Sequence, residues 1–388
     1  IAGDRLIRRG GDFAQQVMTG IGLRVEIENQ GLQPPRGGHR SQVGGDSGLA
    51  DAAFLVENHP AHGVPPARIH LSLQSRQLCR EGRGPMYALA RQLLFALPPE
   101  VAHDIALGGL DLAARLGLAR LMPARVADPC SVLGLRFPNR VGLSAGLDKN
   151  ADHLQGLAAA GFGFLELGTV TPRPQPGNDK PRLFRLPSHR ALINRLGFNN
   201  TGVDHLVGRV QQTRGRLSTP LGVNIGKNRD TPLEQAADDY CRALNAVHGV
   251  ADYITVNISS PNTPGLRSLQ AGQELMRLLK RLLAERDELL AHRDKPLPIL
   301  VKIAPDLATE ALAGLVDTLL ECRVDGVIAT NTTLSREGVE GARHAEESGG
   351  LSGAPLREPS TRVVADIRRR AGPGLPIIGV GGILSGDD

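Results

Sequence analysis

From Met86 onward the apolar positions follow two different periods. Met86, Leu89, Leu93 and Leu97 recur at three- to four-residue spacing, and Pro98-Pro99-Glu100 interrupts them. Val101, Ile105, Leu112 and Leu116 then resume the spacing as far as Met122-Pro123. This predicts two short helices joined by a tight turn. Both are apolar on more than one face, with Arg91, Arg115, Arg120 and Arg125 interspersed. A hairpin of this kind either meets a membrane surface or an apolar ligand, or is an ordinary helical cap on a core.

After Pro129 the period changes. Apolar runs predict strands at 141–145, 164–168, 220–225, 253–258, 298–303, 326–330 and 376–380. Helical stretches such as 151–160, 232–248, 268–291, 307–322 and 359–371 separate them. Strand–helix alternation on this scale means a parallel sheet covered by helices. Seven units and the start of an eighth predict an α/β chain folded as a (β/α)8 TIM barrel. A doubly wound open sheet is the competing architecture; no GxGxxG follows the first strand to support it.

Residues 1–85 show neither period. They carry Gly-Gly pairs, Pro34-Pro35-Arg36-Gly37-Gly38 and scattered Arg and His. They read as a flexible basic arm or as non-native upstream sequence, outside the fold in either case. The chain thus divides into an extension, 1–85, a helical hairpin, 86–125, and a barrel, 126–388. With seven predicted strands, the first and last are expected to keep unpaired edges.

Composition narrows the function. Apolar residues are 41% of the 388, enough for a full core, whereas aromatics are 3% and Trp is absent. That argues against a stacking surface for single-stranded nucleic acid. The net charge of +5 comes mostly from scattered Arg, a mild bias toward anionic partners without a nucleic-acid footprint. Cys79, Cys130, Cys241 and Cys322 have no CxxC spacing, so no zinc or iron–sulfur site is expected and a reducing compartment fits. No apolar run reaches transmembrane length, and no secretory signal opens the chain.

Polar residues recur where the strands end. Lys149 follows the first strand and Thr169 the second; Asn224 sits on the third, and Asn257 and Ser260 lie at the end of the fourth. Lys302 belongs to the fifth, Thr330 and Asn331 end the sixth, and Gly381-Gly382 close the seventh. A barrel builds its active site at the C-terminal ends of its strands, so these positions predict one site. Asn257, Ser260 and Asn262 offer paired amide donors and acceptors beside a hydroxyl, which suits a planar ring with alternating N–H and C=O groups. Glycines at Gly349-Gly350-Leu351-Ser352-Gly353 and Gly379-Val380-Gly381-Gly382 suit a phosphate bound by backbone N–H groups. Lys302, inside an apolar strand, needs an anionic partner, and the edge of a flavin that turns negative on reduction would supply one. No Ser-His-Asp pattern and no metal-ligand cluster stands at the rim. Redox chemistry around a bound cofactor fits better than hydrolysis.

These motifs bring a resemblance. Ala145-Gly-Leu-Asp-Lys149, Thr169-Val-Thr-Pro-Arg-Pro-Gln-Pro-Gly-Asn178, Asn194-Arg-Leu-Gly-Phe-Asn-Asn200, Asn224-Ile-Gly-Lys-Asn228, Asn257-Ile-Ser-Ser-Pro-Asn-Thr-Pro264 and Gly349-Gly-Leu-Ser-Gly353 resemble class 2, quinone-dependent dihydroorotate dehydrogenase. The likeness runs from Met86 to the last residue. It implies an FMN-containing barrel of pyrimidine synthesis that oxidises (S)-dihydroorotate to orotate. A hairpin that meets the membrane would admit ubiquinone or menaquinone. It also implies a peripheral protein, on the cytoplasmic face of the cell membrane if bacterial.

Carried over by residue, the resemblance makes Ser260 the base that removes the C5 proton, with the C6 hydride passing to flavin N5. Class 1 enzymes are known for cysteine there. Lys149, Asn194, Asn257, Asn262, Asn331 and Thr332 would hold the substrate, with Arg195, Leu196, Gly197 and Phe198 lining the same loop. Ala145, Gly146, Leu147, Asp148, Lys149, Thr169, Asn224, Asn257, Lys302, Thr330, Gly353 and Gly382 would hold FMN. His103 and Arg185 match positions near the quinone path. Two departures stand out: the family has no counterpart to 1–85, and the eighth strand with its Tyr-Ser or Tyr-Thr pair is missing, so weak FMN binding is expected. An inactive truncated fragment, or another FMN barrel oxidoreductase, is the alternative.

Overall fold

The computed structural model describes residues 52–56, 85–118, 127–270, 272–291, 295–385 and 388. In chain order it begins with strand β1 (Ala52–Val56) and helices α1 (Pro85–Ala96) and α2 (Pro99–Arg115). A small hairpin follows, β2 (Cys130–Val132) and β3 (Leu135–Phe137). Then come β4 (Val141–Leu143), α3 (Leu154–Ala159), β5 (Phe164–Val170), β6 (Leu183–Leu186), β7 (Ala191–Asn194) and α4 (Val203–Arg214). The middle units are β8 (Leu221–Ile225), α5 (Ala236–Val247), β9 (Tyr253–Asn257), α6 (Gly272–Leu290) and β10 (Ile299–Ile303). The chain closes with α7 (Thr309–Glu321), β11 (Gly326–Ala329), β12 (Gly350–Gly353), α8 (Arg357–Ala371) and β13 (Ile377–Val380).

The barrel runs β4-β5-β8-β9-β10-β11-β13, all parallel, as the strand–helix alternation predicts. Its strands are buried on both faces, which is why runs such as Ile299-Leu-Val-Lys-Ile303 show no polar alternation. The eighth position corrects the sequence reading. It is not left as two open edges: β1 fills it, antiparallel to both β13 and β4, with Phe54 opposite Gly379 on one side and Val141 on the other. An unpaired strand edge leaves N–H and C=O groups without partners, and an extended apolar segment from the same chain satisfies them. Five residues of the segment expected to lie outside the fold therefore complete it. The rest of that extension, and the end of the predicted hairpin at 119–125, fall outside the described residues.

The barrel is apolar at one end and polar at the other. Phe137, Phe164 and Tyr253 plug its interior, the two Phe rings packed edge-on with centroids 5.6 Å apart. Gly142 and Gly222 make room for them: a Cβ would stand 2.2 Å from Phe164 and 2.1 Å from Tyr253. Leucines and valines of the outer strand faces pack against α4–α8 in the main core. At the C-terminal rim a second sheet, β6-β7-β12, lies beside the loops that carry the polar residues.

The hairpin α1–α2 is pinned to this rim by polar contacts. Glu100 takes both arms of Arg182, at 2.8 and 2.9 Å, and Asp111 accepts from the Gly156 N–H at 3.0 Å and pairs with His153 at 2.7 Å. Arg185 donates to the Leu97 and Phe95 carbonyls at 3.0 and 3.3 Å, and its guanidinium lies 4.7 Å above the Phe95 ring. The outer face stays apolar and open: Leu93, Ile105, Leu112 and Leu116 are 63%, 52%, 58% and 65% exposed. No helix among the described residues is long and apolar enough to cross a membrane.

Candidate active site

Ser260 lies three residues beyond the end of β9 in a loop that the rim buries; it is 5% exposed, and its Oγ accepts the Asn262 N–H at 3.2 Å. Pro261, next in the chain, has no backbone N–H to donate and a fixed φ, so it keeps this segment a loop. Asn262 Nδ2 reaches back to β7, 3.2 Å from the Asn194 carbonyl and 3.3 Å from its side-chain oxygen. The loops after β7 and β9 are thereby joined, as one substrate pocket would require.

A single line of hydrogen bonds runs from this mouth down into the barrel. Thr332 N–H donates to Asn331 Oδ1 at 2.7 Å, and Asn331 Nδ2 donates to Ser259 Oγ at 2.9 Å. Ser259 gives its hydroxyl and its N–H to Asn257 Oδ1, at 3.0 and 3.2 Å. Asn257 Nδ2 donates to Thr169 Oγ1 at 2.8 Å, Thr169 to Asn224 Oδ1 at 2.6 Å, and Asn224 Nδ2 to Glu166 Oε1 at 2.9 Å. Glu166 is 1% exposed, and its other oxygen faces the hydroxyls of Tyr253 and Thr255 at 3.3 and 3.2 Å. Burial and the neighbouring carboxyl hold the Tyr253 phenol well above its usual pKa, so it stays a donor. Thr169, Asn224, Asn257, Asn331 and Thr332 are thus brought together as expected. Glu166 was missed, although an acid in the middle of Phe164-Leu-Glu-Leu-Gly168 was a visible signal.

Two lysines face the same region. The loop after β4 places Lys149 Nζ 2.7 Å from the Gly146 carbonyl. Burial pushes its pKa down to about 8, helped by repulsion from Arg182 and opposed by Asp148 and Glu100. An anionic ligand arriving there would restore the charge. Lys302, on β10, is 6% exposed, and Ser144 Oγ at 3.3 Å is its one hydrogen-bond partner among the described residues. An ammonium so poorly satisfied inside the barrel fits a ligand with a negative edge. On this ground the site fits a flavin. Glycines fit its phosphate: Gly353 and Gly382 have φ of +102° and +72°, and a Cβ on Gly382 would stand 2.3 Å from the Arg357 N–H at the start of α8.

The other predicted residues divide. Ala145, Gly146, Leu147 and Asp148 form the loop carrying Lys149. Asp148 accepts from the backbone N–H groups of Asp152 and His153 at 3.0 and 2.8 Å, and burial still pushes its carboxyl above the usual range. Thr330 follows β11 and is buried. Leu196, Gly197 and Phe198 continue from β7, with Gly197 at φ +73°. Arg195 turns its guanidinium away, to Glu347 at 2.7 Å and over the Phe184 ring. Arg185 lines a cavity of about 360 Å³ with Phe95, Phe184 and His344, on the hairpin side of the rim. His103 on α2 is half-buried, and desolvation, with repulsion from Lys149, lowers its pKa.

Comparison with known proteins agrees with this layout. The family model for dihydroorotate dehydrogenase matches residues 129–388. The dihydroorotate dehydrogenase (quinone) of Azotobacter vinelandii is 57% identical over 302 residues, covering 78% of this chain and 86% of that protein. That of Thiobacillus denitrificans is 56% identical over 303 residues, 78% and 89% of the two chains. The ligand-free crystal structure of the Eimeria tenella enzyme superposes with a TM-score of 0.67 at 39% identity, covering 74% of this chain and 83% of that one. The chain belongs to the dihydroorotate dehydrogenase family, in its quinone-dependent class.

Proposed function

We propose that this member of the family oxidises (S)-dihydroorotate to orotate in pyrimidine synthesis and delivers the electrons to ubiquinone or menaquinone. The observation that carries the reading is the position of Ser260, a buried hydroxyl in a loop joined by hydrogen bonds to amides at the ends of three barrel and rim strands, β7, β9 and β11. Substrate enters with its carboxylate toward Lys149 and its ring amides toward Asn194, Asn257, Asn262, Asn331 and Thr332. Side chains of this kind satisfy a planar ring that has as many acceptors as donors. Ser260 takes the proton from C5 while its own proton leaves to a water or a neighbouring hydroxyl, and the hydride departs from C6, so that a C5–C6 double bond forms. Closure of the loop over the rim keeps bulk water from the carbanion-like centre.

FMN is the cofactor proposed, held by the loop 145–149, Thr169, Asn224, Asn257, Lys302, Thr330, Gly353 and Gly382; when bound it supplies the hydride acceptor and the route for electrons to the quinone. Lys302 would neutralise the negative ring edge. The hairpin supplies the quinone path. His103 and Arg185 stand on it or against it, and its exposed leucines lie on the membrane surface. The protein is accordingly a peripheral one, on the cytoplasmic face of the cell membrane if bacterial. The test uses the full chain purified with excess FMN. Dihydroorotate should bleach the flavin absorbance without oxygen, and a quinone should restore it. A chain that holds flavin but is not reduced by dihydroorotate would overturn the reading.

A further inference from the structure

The line of hydrogen bonds beneath the rim has a direction, and both ends fix it. At the top stand the backbone N–H groups of Ser259 and Thr332, which can only donate. At the bottom stands Glu166, on which three donors converge: Asn224 Nδ2, Tyr253 OH and Thr255 Oγ1. Every group between passes the same sense along, so the amides of Asn257 and Asn224 each have one allowed orientation. A primary amide turned over exchanges its oxygen for its nitrogen at almost no steric cost. Nothing in the packing of an asparagine chooses between the two; its partners choose.

We propose that Glu166 is a positioning residue for the dehydrogenase reaction: as the acceptor at the barrel floor it holds Asn224 from below, as the Ser259 N–H holds Asn257 from above, and so sets which face of Asn224 is offered to the flavin. Glu166 is not among the residues proposed to touch either ligand; its partners are Asn224, Tyr253 and Thr255. It acts through Asn224, which the proposed function places against the flavin, so the inference rests on that reading. It also accounts for an acid buried in an otherwise apolar strand, which is costly to place there unless its acceptor character is used.

The sense of the line can be kept while donor and acceptor are exchanged, and that exchange is the test. Asn224→Asp puts an oxygen where Asn224 Nδ2 now meets Glu166 at 2.9 Å, two acceptors facing each other. Adding Glu166→Gln supplies an Nε2 donor to the introduced carboxylate, whose other oxygen still accepts the Thr169 hydroxyl. Flavin affinity is measured by fluorescence titration of the stripped full-length chain with FMN, and orotate affinity from the flavin absorbance change. Asn224→Asp should weaken both by at least about tenfold. Glu166→Gln alone, whose amide can turn its oxygen to Asn224, should cost about threefold. The double variant should recover to within about threefold of the unchanged chain.

A double variant as weak as Asn224→Asp, or a Glu166→Gln loss as large as the Asn224→Asp loss, would mean that charge or packing matters and direction does not; the proposal would fall. If Asn224→Asp fails to fold, a double variant that folds and binds supports the proposal, and one that fails as well overturns it. An unchanged chain that binds neither FMN nor orotate would instead overturn the functional reading, before any variant is compared.

Discussion

Arg267 and Asp306 form an ion pair, 2.7 Å between Nη1 and Oδ2, that fastens three rim loops together. The same guanidinium donates to the Ser259 carbonyl at 3.0 Å and to the Thr332 carbonyl at 3.0 Å. Asp306, beyond β10, also accepts from the Thr333 hydroxyl and from the Leu334 N–H at 3.1 Å. The loop bearing Ser260 and the loop bearing Asn331 and Thr332 are thus held as one body. Arg267→Lys keeps the charge, but a single ammonium cannot reproduce the planar fork that spans both carbonyls. Reduction of the flavin by dihydroorotate should slow by about tenfold or more, while reoxidation by quinone stays unchanged. Stopped-flow measurement of the two half-reactions checks this.

Ser260→Ala removes the hydroxyl proposed to take the C5 proton. Flavin reduction should fall by about 10²- to 10⁴-fold, with orotate affinity changed far less. A rate near that of the unchanged chain would remove Ser260 from the mechanism.

Lys149 gives the pH dependence. With its pKa pushed down to about 8, the side chain is charged below that value and neutral above it. Affinity for the substrate carboxylate should therefore fall as pH rises through about 8, appearing as a rising KM for dihydroorotate, and Lys149→Met should abolish the dependence. For folding the sign is opposite. The unfolded lysine keeps its proton to about pH 10.4, so the cost of burying the charge is present in full below about 8 and is relieved between those values. A KM that stays level from neutral pH to about 9 would count against the assignment.

The exposed leucines of the hairpin should govern quinone access. Leu112→Glu with Leu116→Glu places two charges on a face whose leucines are now 58% and 65% exposed. Each buried leucine contributes about 1.5–3 kcal/mol to an apolar contact, so vesicle binding should drop by at least about tenfold. Turnover with a long-tailed quinone should drop with it, while flavin reduction by dihydroorotate is retained. Co-sedimentation with anionic vesicles and the two half-reactions separate these effects.

Removing residues 1–84 takes β1 out of the barrel and leaves Val141–Leu143 and Ile377–Val380 with unpaired edges. The melting temperature should fall by several degrees, roughly what a few kcal/mol costs a domain of this size. An unchanged melting curve would show that the barrel does not depend on this strand.

The sequence by itself determined the periodic part of the protein. Strands buried on both faces read as unbroken apolar runs, so Tyr253–Asn257, Ile299–Ile303 and their neighbours were found within one or two residues. A barrel brings the ends of its strands to one rim whatever its loops do, which is why Lys149, Asn257, Ser260 and Asn331 could be proposed for one site from order alone. What the order could not contain is pairing between segments that no period links. The sheet of β6, β7 and β12 joins residues 183–194 to 350–353, and Arg267 chooses Ser259 and Thr332 from many carbonyls. Glu166 reads as an oddity in a strand until Asn224, Tyr253 and Thr255 are seen to converge on it. The antiparallel β1 is the clearest case. Five apolar residues in an aperiodic extension carry no signal of their own, and only an open edge on the folded barrel gives them a place.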